Sequence, residues 1–287
     1  MLKSKRLSPV IIIGMHRSGT SLITRLLEKL GLFVGRRKDP NHESIFFLRL
    51  NNWMLRQSGG SWDHPKPIHY LMEDRKTRSL VKDYLMFQLK TQKVVSYLGL
   101  AGYFKNRSIY NISIPWGWKD PRNTFTLPIW LDLFREAKVI HIYRHGVDIA
   151  QSLKIRQDWR LSYGKQRFKR YKLFYTFRPK YGGFSDSIRC STLEGGFSLW
   201  EEYMAEAERH ICKLSSQAMS VKYEDFLTDP ENFLVKLALF CNLKYSRTAI
   251  INLAKTVKKS RAYAYRSESD LQVFAECLTE RLATYGY

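Results

Sequence analysis

Apolar residues occur along the chain in two different patterns, one typical of strands and one typical of helices. The first apolar run, residues 9–13, is short and β-branched and stops at Gly14, as expected of a buried parallel strand. Across residues 20–30 the apolar positions instead share one helical face, and Gly31 follows as a stop signal. The sequence therefore predicts a strand, a loop and a helix in succession.

The same two patterns predict the elements that follow. Further helices are expected at 43–57, with Asn41 as the N-cap, at 73–97, at 123–134 and from Val147 onward. Further strands are expected at 116–119, 137–143 and 218–223, and the remaining C-terminal part has a mostly helical pattern. Strands that alternate with helices at this spacing predict a three-layer α/β/α domain around a central parallel sheet, with additional helices. Ligand sites of such domains lie at the carboxyl ends of the strands.

The charged residues are strongly unbalanced, with 48 Lys and Arg against 26 Asp and Glu and a formal net charge of +22. This excess predicts an anionic partner such as a nucleotide, a polyanionic glycan, nucleic acid or an acidic membrane surface. Residues 156–190, which we call the basic aromatic segment, contain ten Lys and Arg, nine aromatic residues and two acids. We interpret the segment as an insertion in a single domain that spans residues 1–287. It suits a flap over a substrate, a contact with a membrane surface or polyanion, or a solvated excursion.

The cysteines and the N-terminal residues favour a cytoplasmic protein. The cysteines form no C-x-x-C pair, so neither a zinc site nor a redox motif is predicted, and reduced thiols are expected at Cys190, Cys212, Cys241 and Cys277. Lys3, Lys5 and Arg6 precede the first apolar run and imitate a signal peptide, but that run is too short and lacks a cleavage site. No stretch approaches the ~20 apolar residues of a membrane span.

Residues 14–21 form the most informative loop of the sequence. Gly14 and Gly19 have the spacing of the phosphate-binding loop G-x-x-x-x-G-K-[ST], but Thr20 occupies the lysine position. In NTP-hydrolysing proteins that lysine reaches the phosphates, whereas here the cation within the loop is Arg17. Backbone N–H groups at a helix N-terminus still attract an anion, and Arg17 adds a two-pronged donor. The loop therefore predicts an anion site formed by His16, Arg17, Ser18, Gly19, Thr20 and Ser21.

Three further stretches add to this loop. The predicted strand that ends at Tyr143 is followed by Arg144 and, eight residues later, by Ser152. Residues 118–122 read Trp-Lys-Asp-Pro-Arg, and residues 221–225 read Val-Lys-Tyr-Glu-Asp. Together with the loop, these stretches resemble the bacterial-type sulfotransferases that use 3′-phosphoadenylyl sulfate (PAPS). The resemblance runs from about residue 9 to residue 226 and is weaker beyond it.

The resemblance implies a P-loop-like fold, with PAPS as the donor and adenosine 3′,5′-bisphosphate as the product. It implies that Arg144 and Ser152 hold the 3′-phosphate of the donor. Arg261 or Arg266, in a basic C-terminal stretch, would add a contact to the nucleotide. An exposed charged face is the alternative interpretation of these two arginines.

Sulfonate transfer depends on positioning and on cations that stabilise the developing charge. Because a sulfonyl group carries less charge than a γ-phosphoryl group, Arg and Lys suffice and we expect no metal. We predict that Arg17 stabilises the leaving phosphate and that Lys119 binds the sulfonyl or bridging oxygen. For the general base, the resemblance implies a glutamate in the region after the first helix, so Glu43 is the first candidate, and His42 is the second. The alternative role of Glu43 is to complement the dipole of the predicted helix at 43–57.

The acceptor is expected to be a hydroxyl group of a carbohydrate, a glycolipid or a small metabolite. Trp62 is either a wall of the acceptor pocket or part of the core. A P-loop kinase is an alternative function, but Thr20 and the spacing of Arg144 and Ser152 disfavour it. A basic nucleic-acid-binding protein fits the net charge but leaves the phosphate loop unexplained, so we expect no specific nucleic-acid partner.

Overall fold

The structure is a computed structural model that describes residues 7–178 and 183–287. Its sheet contains four strands, β1 (Val10–Ile13), β2 (Gly117–Lys119), β3 (Lys138–Tyr143) and β4 (Ala218–Lys222). The strand order is β2-β1-β3-β4, and every neighbouring pair is parallel. Ile12 lies opposite Lys119 of β2 and Ile140 of β3, so the carboxyl ends of the strands meet at one edge of the sheet. The predicted central parallel sheet is confirmed.

The described residues form fourteen α-helices. The first seven are α1 (Thr20–Lys29), α2 (Ile45–Gln57), α3 (Ile68–Glu73), α4 (Arg75–Gln88), α5 (Val95–Asn106), α6 (Asn123–Leu133) and α7 (Gly146–Arg170). The others are α8 (Phe174–Phe177), α9 (Leu193–Leu214), α10 (Tyr223–Thr228), α11 (Pro230–Phe240), α12 (Arg247–Ala254), α13 (Ser269–Cys277) and α14 (Thr279–Ala283). Short 3-10 turns occur at Gln92–Val94, Ile109–Asn111, Arg189–Ser191, Ser215–Gln217, Lys259–Arg261 and Ala264–Ser267.

The chain divides into two compact units. The first, which we call the sheet unit, contains the described residues up to Arg144 together with Tyr203–Ala262, and it holds all four strands. The second unit contains His145–Glu202 and Tyr263–Tyr287. Residues 1–6, with the signal-like lysines and arginine, and residues 179–182 of the basic aromatic segment lie outside the described residues. The single domain and the insertion at 156–190 stay predictions.

The core of the sheet unit lies on both faces of the sheet. Val10 and Ile12 pack in one apolar cluster with Ile23 and Leu27 of α1 and with Leu234 of α11. Side chains alternate between the two faces of a sheet, so Ile11 of β1 and its partner Trp118 of β2 face the opposite side. There, Phe47 of α2 stacks on Trp118 of β2 with ring centroids 3.9 Å apart. Burial on both faces explains why β1 is apolar throughout.

The helix predicted at 43–57 begins two residues later than expected, and its N-cap is Ser44, not Asn41. His42 has a left-handed backbone with φ 66°, which cannot continue into a right-handed helix. The carbonyl of Asn41 accepts hydrogen bonds from side chains of other elements. Glu43 consequently lies in a loop before α2 and not in the first turn of a helix.

The single helix predicted at 73–97 was wrong, because α4 ends at Gln88 and α5 begins at Val95. Thr91 interrupts the helix with an extended backbone (ψ 167°). Its hydroxyl donates to the carbonyl of Gln88 at 2.9 Å, which satisfies a backbone group that the end of α4 leaves open. Apolar periodicity continued across this break since buried residues such as Leu89 and Val94 occur in the turn itself.

Candidate active site

The phosphate loop joins β1 to α1, and its two glycines are required by lack of space. Gly14 has φ 131°, and a Cβ on it would lie 2.1 Å from the carbonyl oxygen of Ile142. Gly19 caps α1 with φ 91°, and a Cβ on it would lie 2.3 Å from the ring of Tyr223. The spacing that the sequence shows is therefore set by close approach to β3 and to the residue after β4.

The polar side chains of the loop have different environments. Arg17 is exposed and has a left-handed backbone with φ 71°, a conformation that costs a non-glycine residue energy and clusters at ligand sites. Ser18 is buried, and its hydroxyl donates to the carbonyl of Met15 at 2.7 Å, so it holds the loop closed. The His16 ring packs edge-on against Trp62, with centroids 4.8 Å apart. The loop thus presents Arg17 outward on a rigid frame.

Lys119, at the end of β2, is the cation that the structure brings to the loop. Its side chain is 1% exposed. The ammonium Nζ donates to the carbonyl of Asn41 at 2.7 Å, to Oε1 of Glu43 at 3.1 Å and to Oγ of Ser21 at 3.3 Å. Ser21 in turn donates its hydroxyl to the same Asn41 carbonyl at 2.6 Å. Lys119 therefore links the first turn of α1 to the loop that carries Glu43.

Glu43 lies between two cations and is 3% exposed. Besides the pair with Lys119, its Oε2 accepts a hydrogen bond from Nη1 of Arg122 at 3.2 Å. Burial raises the pKa of the Glu43 carboxyl, and the neighbouring Asp120 raises it further, against the opposing effect of Lys119 and Arg122. A buried carboxylate with a raised pKa is suited to accept a proton. Its inward position does not support the alternative role as a partner of the α2 dipole.

Polar residues of α2 and α6 fix the end of β2. Asp120 accepts hydrogen bonds from Nη1 of Arg122 at 2.9 Å and from Nδ2 of Asn51 at 2.8 Å. Asn51 also donates to Oδ1 of Asn123 at 2.7 Å and accepts from the indole of Trp130 at 2.8 Å. These hydrogen bonds hold the Asp120 carboxylate in place, and Asp120 in turn positions the Nη1 of Arg122.

His42 has a different partner from Glu43. Its Nε2 lies 2.6 Å from Oε2 of Glu28 on α1, and Glu28 also pairs with Lys38. Burial and the charge of Lys38 lower the pKa of His42, although Glu28 opposes this. A second histidine, His141 on β3, has its pKa lowered to about 3 by burial and is a neutral core residue.

Arg144 follows β3, and an aromatic ring connects it to the phosphate loop. Its guanidinium is 5.4 Å from the ring centroid of Tyr223, and its Nη2 donates to the backbone carbonyl of Arg261 at 3.0 Å. The same Tyr223 ring fills the space next to Gly19. Tyr223 therefore lies between Gly19 and Arg144 and packs against both of these predicted donor-binding residues.

In the second unit, the C-terminal basic stretch is tied to α7. Asp148 accepts hydrogen bonds from the backbone N–H groups of Tyr265 at 2.7 Å and Ala264 at 3.2 Å. The exposed guanidinium of Arg266 lies 4.4 Å from the ring centroid of Tyr263. Ser152 is half-buried in the second turn of the same helix.

Comparison with known proteins shows the family to which this chain belongs. The sequence profile of the sulfotransferase family matches residues 9–247, most of the chain. The chain belongs to the sulfotransferase family. The resemblance predicted from the sequence is confirmed, and the protein is a transferase enzyme. This outcome favours neither the kinase nor the nucleic-acid-binding alternative.

Solved structures similar to this sulfotransferase are themselves described as sulfotransferases. The sulfotransferase domain of the curacin biosynthetic pathway is 15% identical, with 96% of this chain and 99% of that chain covered and a TM-score of 0.49. The corresponding domain of the Synechococcus PCC 7002 olefin synthase is 17% identical, with 98% and 97% covered and a TM-score of 0.49. For a sulfotransferase from Alicyclobacillus acidocaldarius the values are 17%, 97%, 92% and 0.47. No curated protein sequence matches the chain significantly.

Two residues of this candidate site received no role in the sequence interpretation. Arg122 and Tyr223 both lie in the stretches that carry the family resemblance, at 118–122 and 221–225. Their types gave no signal by themselves, since an arginine after a strand and a tyrosine at the start of a helix are common. Within the described part of the chain, no helix is long and apolar enough to cross a membrane.

Proposed function

We propose that this sulfotransferase moves a sulfonate group from PAPS to a hydroxyl group of an acceptor and releases adenosine 3′,5′-bisphosphate. The observation that carries the proposal is the contact between Lys119 and Ser21. The loop has no lysine of its own at position 20, and a buried lysine from the neighbouring strand supplies a cation next to it instead. This arrangement differs from an NTPase loop, in which the lysine belongs to the loop and the final Ser or Thr holds magnesium.

The loop is suited to the 5′-phosphosulfate of the donor. Backbone N–H groups at the N-terminus of α1 and the positive end of its dipole would attract the anion. Arg17, exposed on this loop, would bind the 5′-phosphate as negative charge develops on it. His16, Ser18, Gly19, Thr20 and Ser21 would shape the site through their backbone and by the packing described above.

The 3′-phosphate of the donor is assigned to Arg144 and Ser152. Support for Arg144 comes from its place at the end of β3, against the Tyr223 ring that also touches Gly19. Ser152 is assigned from its spacing in the sequence alone. Arg261 and Arg266 are both exposed and stay candidates for a further contact with the nucleotide.

In the reaction, the acceptor oxygen forms a bond to sulfur while the bond between sulfur and the bridging oxygen of the 5′-phosphate breaks. The electron pair of the broken bond goes to that phosphate, which Arg17 would stabilise. Lys119 would stabilise the sulfonyl or bridging oxygen with its ammonium group. The proton of the acceptor hydroxyl goes to the Glu43 carboxylate.

We assign the general base to Glu43 and not to His42. The carboxyl of Glu43 belongs to the hydrogen-bonded group that includes Lys119 and Ser21, whereas the ring of His42 is bonded to Glu28. Burial raises the pKa of Glu43, which makes its carboxylate a stronger base, and lowers the pKa of His42.

For the acceptor, we propose a carbohydrate, either free or as the head of a glycolipid. Trp62 is half-buried and packs against His16 of the loop, so its ring has a position from which it could stack on a sugar. Candidate acceptors should be screened with donor labelled in its sulfonate group. Labelling of a small phenol but of no carbohydrate would overturn this choice without affecting the donor assignment.

The donor assignment is tested by thermal unfolding with nucleotides. Adenosine 3′,5′-bisphosphate should raise the unfolding temperature more than ATP with magnesium does, because only the former has a 3′-phosphate. Arg144→Ala should weaken bisphosphate binding by about 10–100-fold, as expected for a lost charged hydrogen bond, and leave 5′-AMP binding nearly unchanged. Lys76→Ala, at an exposed position of the same unit, is the control. Preferential stabilisation by ATP would overturn the proposal.

A further inference from the structure

Most of the exposed large apolar side chains of the second unit lie in one part of the basic aromatic segment. From residue 158 to residue 178, every residue is exposed except Gly164 and Tyr175. Leu173 is 83% and Phe177 86% exposed, in and next to the short helix α8. The last three turns of α7 therefore lack a buried face, although the sequence there contains Trp159, Leu161 and Phe168. A helix of this kind needs a partner for its apolar residues.

The charge of this stretch is positive throughout. Residues 159–178 contain no acid, and their seven cations are Arg160, Lys165, Arg167, Lys169, Arg170, Lys172 and Arg178. The acids on either side are already paired, Asp158 with Lys154 at 3.2 Å and Asp186 with Arg156 at 2.6 Å. The field of the seven cations is thus not neutralised locally.

A cavity of about 1040 Å³ lies between the end of α7 and residues 183–186. Its lining residues include three arginines, two tyrosines and one acid: Arg160, Arg167, Arg178, Tyr163, Tyr171 and Asp186. Such a lining offers charged donors and phenolic rings to an anionic group. The cavity and the exposed apolar residues belong to the same stretch of chain.

From this combination we propose that residues 158–178 dock the protein onto an anionic phospholipid membrane. Leu173 and Phe177 insert among the acyl chains, while the lysines and arginines bind lipid phosphates. The rings of Trp159 and Tyr163 stack with centroids 5.5 Å apart. Trp and Tyr side chains favour the headgroup region, which lies between the acyl chains and water. This docking is independent of the sulfonate transfer proposed above.

Other occupants fit the surface less well. A second copy of the chain would bring the same positive charge and repel it. A polyanionic glycan or a nucleic acid would use the cations and, for nucleic acid, the rings, but neither needs the most exposed aliphatic residue, Leu173. The apolar residues therefore provide the test that separates a membrane from a polyanion in water.

The test is sedimentation of the full chain with phosphatidylcholine vesicles that contain or lack phosphatidylserine. We expect binding only to the vesicles with phosphatidylserine, and weaker binding as the salt concentration rises. Leu173→Ser together with Phe177→Ser should weaken that binding on the order of 100-fold, because two large apolar side chains no longer enter the bilayer. The matched control is Leu100→Ser with Phe104→Ser on α5, where the side chains are 68% and 64% exposed.

A second pair of variants tests the charges. Lys169→Gln, Arg170→Gln and Lys172→Gln together should weaken binding on the order of 100-fold. Arg75→Gln, Lys76→Gln and Lys90→Gln remove the same charge from exposed positions of the sheet unit and should have a small effect. Equal losses from the two triple variants would overturn the proposal, because net charge alone would then explain binding.

Three further results would also contradict it. They are equal binding to neutral vesicles, membrane binding that does not depend on Leu173 and Phe177, and the absence of vesicle binding beside tight binding to heparin or single-stranded oligonucleotides. Thermal unfolding of each variant shows whether it is folded. Because all substituted side chains are exposed, we expect unchanged unfolding temperatures.

Discussion

The cluster around Lys119 and the basic aromatic segment use positive charge in opposite ways. At the end of β2, Lys119 and Arg122 are buried and each pairs with Glu43, while Asp120 pairs with Arg122, so two cations face two carboxylates. At 159–178, seven cations are exposed and no acid occurs among them. Residues 159–178 therefore add seven positive charges to the excess of the chain, whereas the cations of the Lys119 cluster are balanced by carboxylates. Net charge predicts an anionic partner but does not locate the catalytic residues.

Burial explains why the two regions should respond differently to substitution. An ion pair removed from water interacts strongly, and losing one partner leaves an uncompensated charge inside the protein. An exposed cation interacts mainly with water and salt, so its loss changes stability little. Substitutions in the first region should affect folding and turnover together, and those in the second neither strongly.

The largest combined effect on turnover and stability is expected for Lys119→Met. Loss of the ammonium should lower kcat by about 10²–10³, because it removes a cation that stabilises charge in the transition state. It should also lower the free energy of unfolding by about 3–5 kcal/mol, since Glu43 loses a buried partner. Turnover with labelled donor and urea unfolding measure the two effects. With Lys76→Met as the control, an unchanged kcat in a folded Lys119→Met protein would remove Lys119 from the catalytic residues.

Glu43→Gln should lower kcat by about 10²–10⁴, the usual contribution of a general base. Turnover of the wild type should rise with pH as Glu43 loses its proton, and the midpoint should lie above the ordinary pKa of a glutamate because burial raises it. The variant should lack this rise. Glu28→Gln, which alters the partner of His42, should retain it. A pH profile that changes in Glu28→Gln but not in Glu43→Gln would assign the base to His42.

A smaller effect is expected from Tyr223, which touches both Gly19 and Arg144. Tyr223→Leu should reduce the preference for adenosine 3′,5′-bisphosphate over 5′-AMP by about tenfold, because an aromatic ring under an arginine contributes ~1–2 kcal/mol to its placement. Tyr223→Phe keeps the ring and should keep the preference. Calorimetric titration with the two nucleotides separates this positioning role from a loss of stability, which would weaken both equally.

The smallest effect should come from the basic aromatic segment. Lys169→Gln and Lys172→Gln should each change the free energy of unfolding by less than about 0.5 kcal/mol, because both side chains are exposed. Urea unfolding beside Lys119→Met measures the difference directly. A loss of more than 1 kcal/mol from either substitution, roughly twice the usual surface range, would mean that the segment packs more tightly than its exposure indicates.

The sequence by itself determined the strands, the parallel sheet, the phosphate loop and the family. These follow from short-range patterns: an apolar run for a strand buried on both faces, and glycines where the chain has no room for a Cβ. It also identified Lys119 and Glu43 as candidate catalytic residues, and these roles stay proposals. It did not predict the break at Thr91 in the helix expected at 73–97, because buried turn residues continue the helical period.

Only the tertiary structure decided which of these residues meet. Lys119 and Glu43 are 76 positions apart, and the 2.7 Å contact from Lys119 to the Asn41 carbonyl depends on the left-handed turn at His42 that delays the start of α2. Tyr223 reaches Gly19 and Arg144 because β4 lies next to β3 in the sheet order. Residue types and spacing carry no information about such contacts, since strand order and loop conformation arise from packing of the whole chain. For that reason the charge-balanced cluster was visible only in three dimensions, whereas the excess charge of residues 159–178 was visible in the sequence.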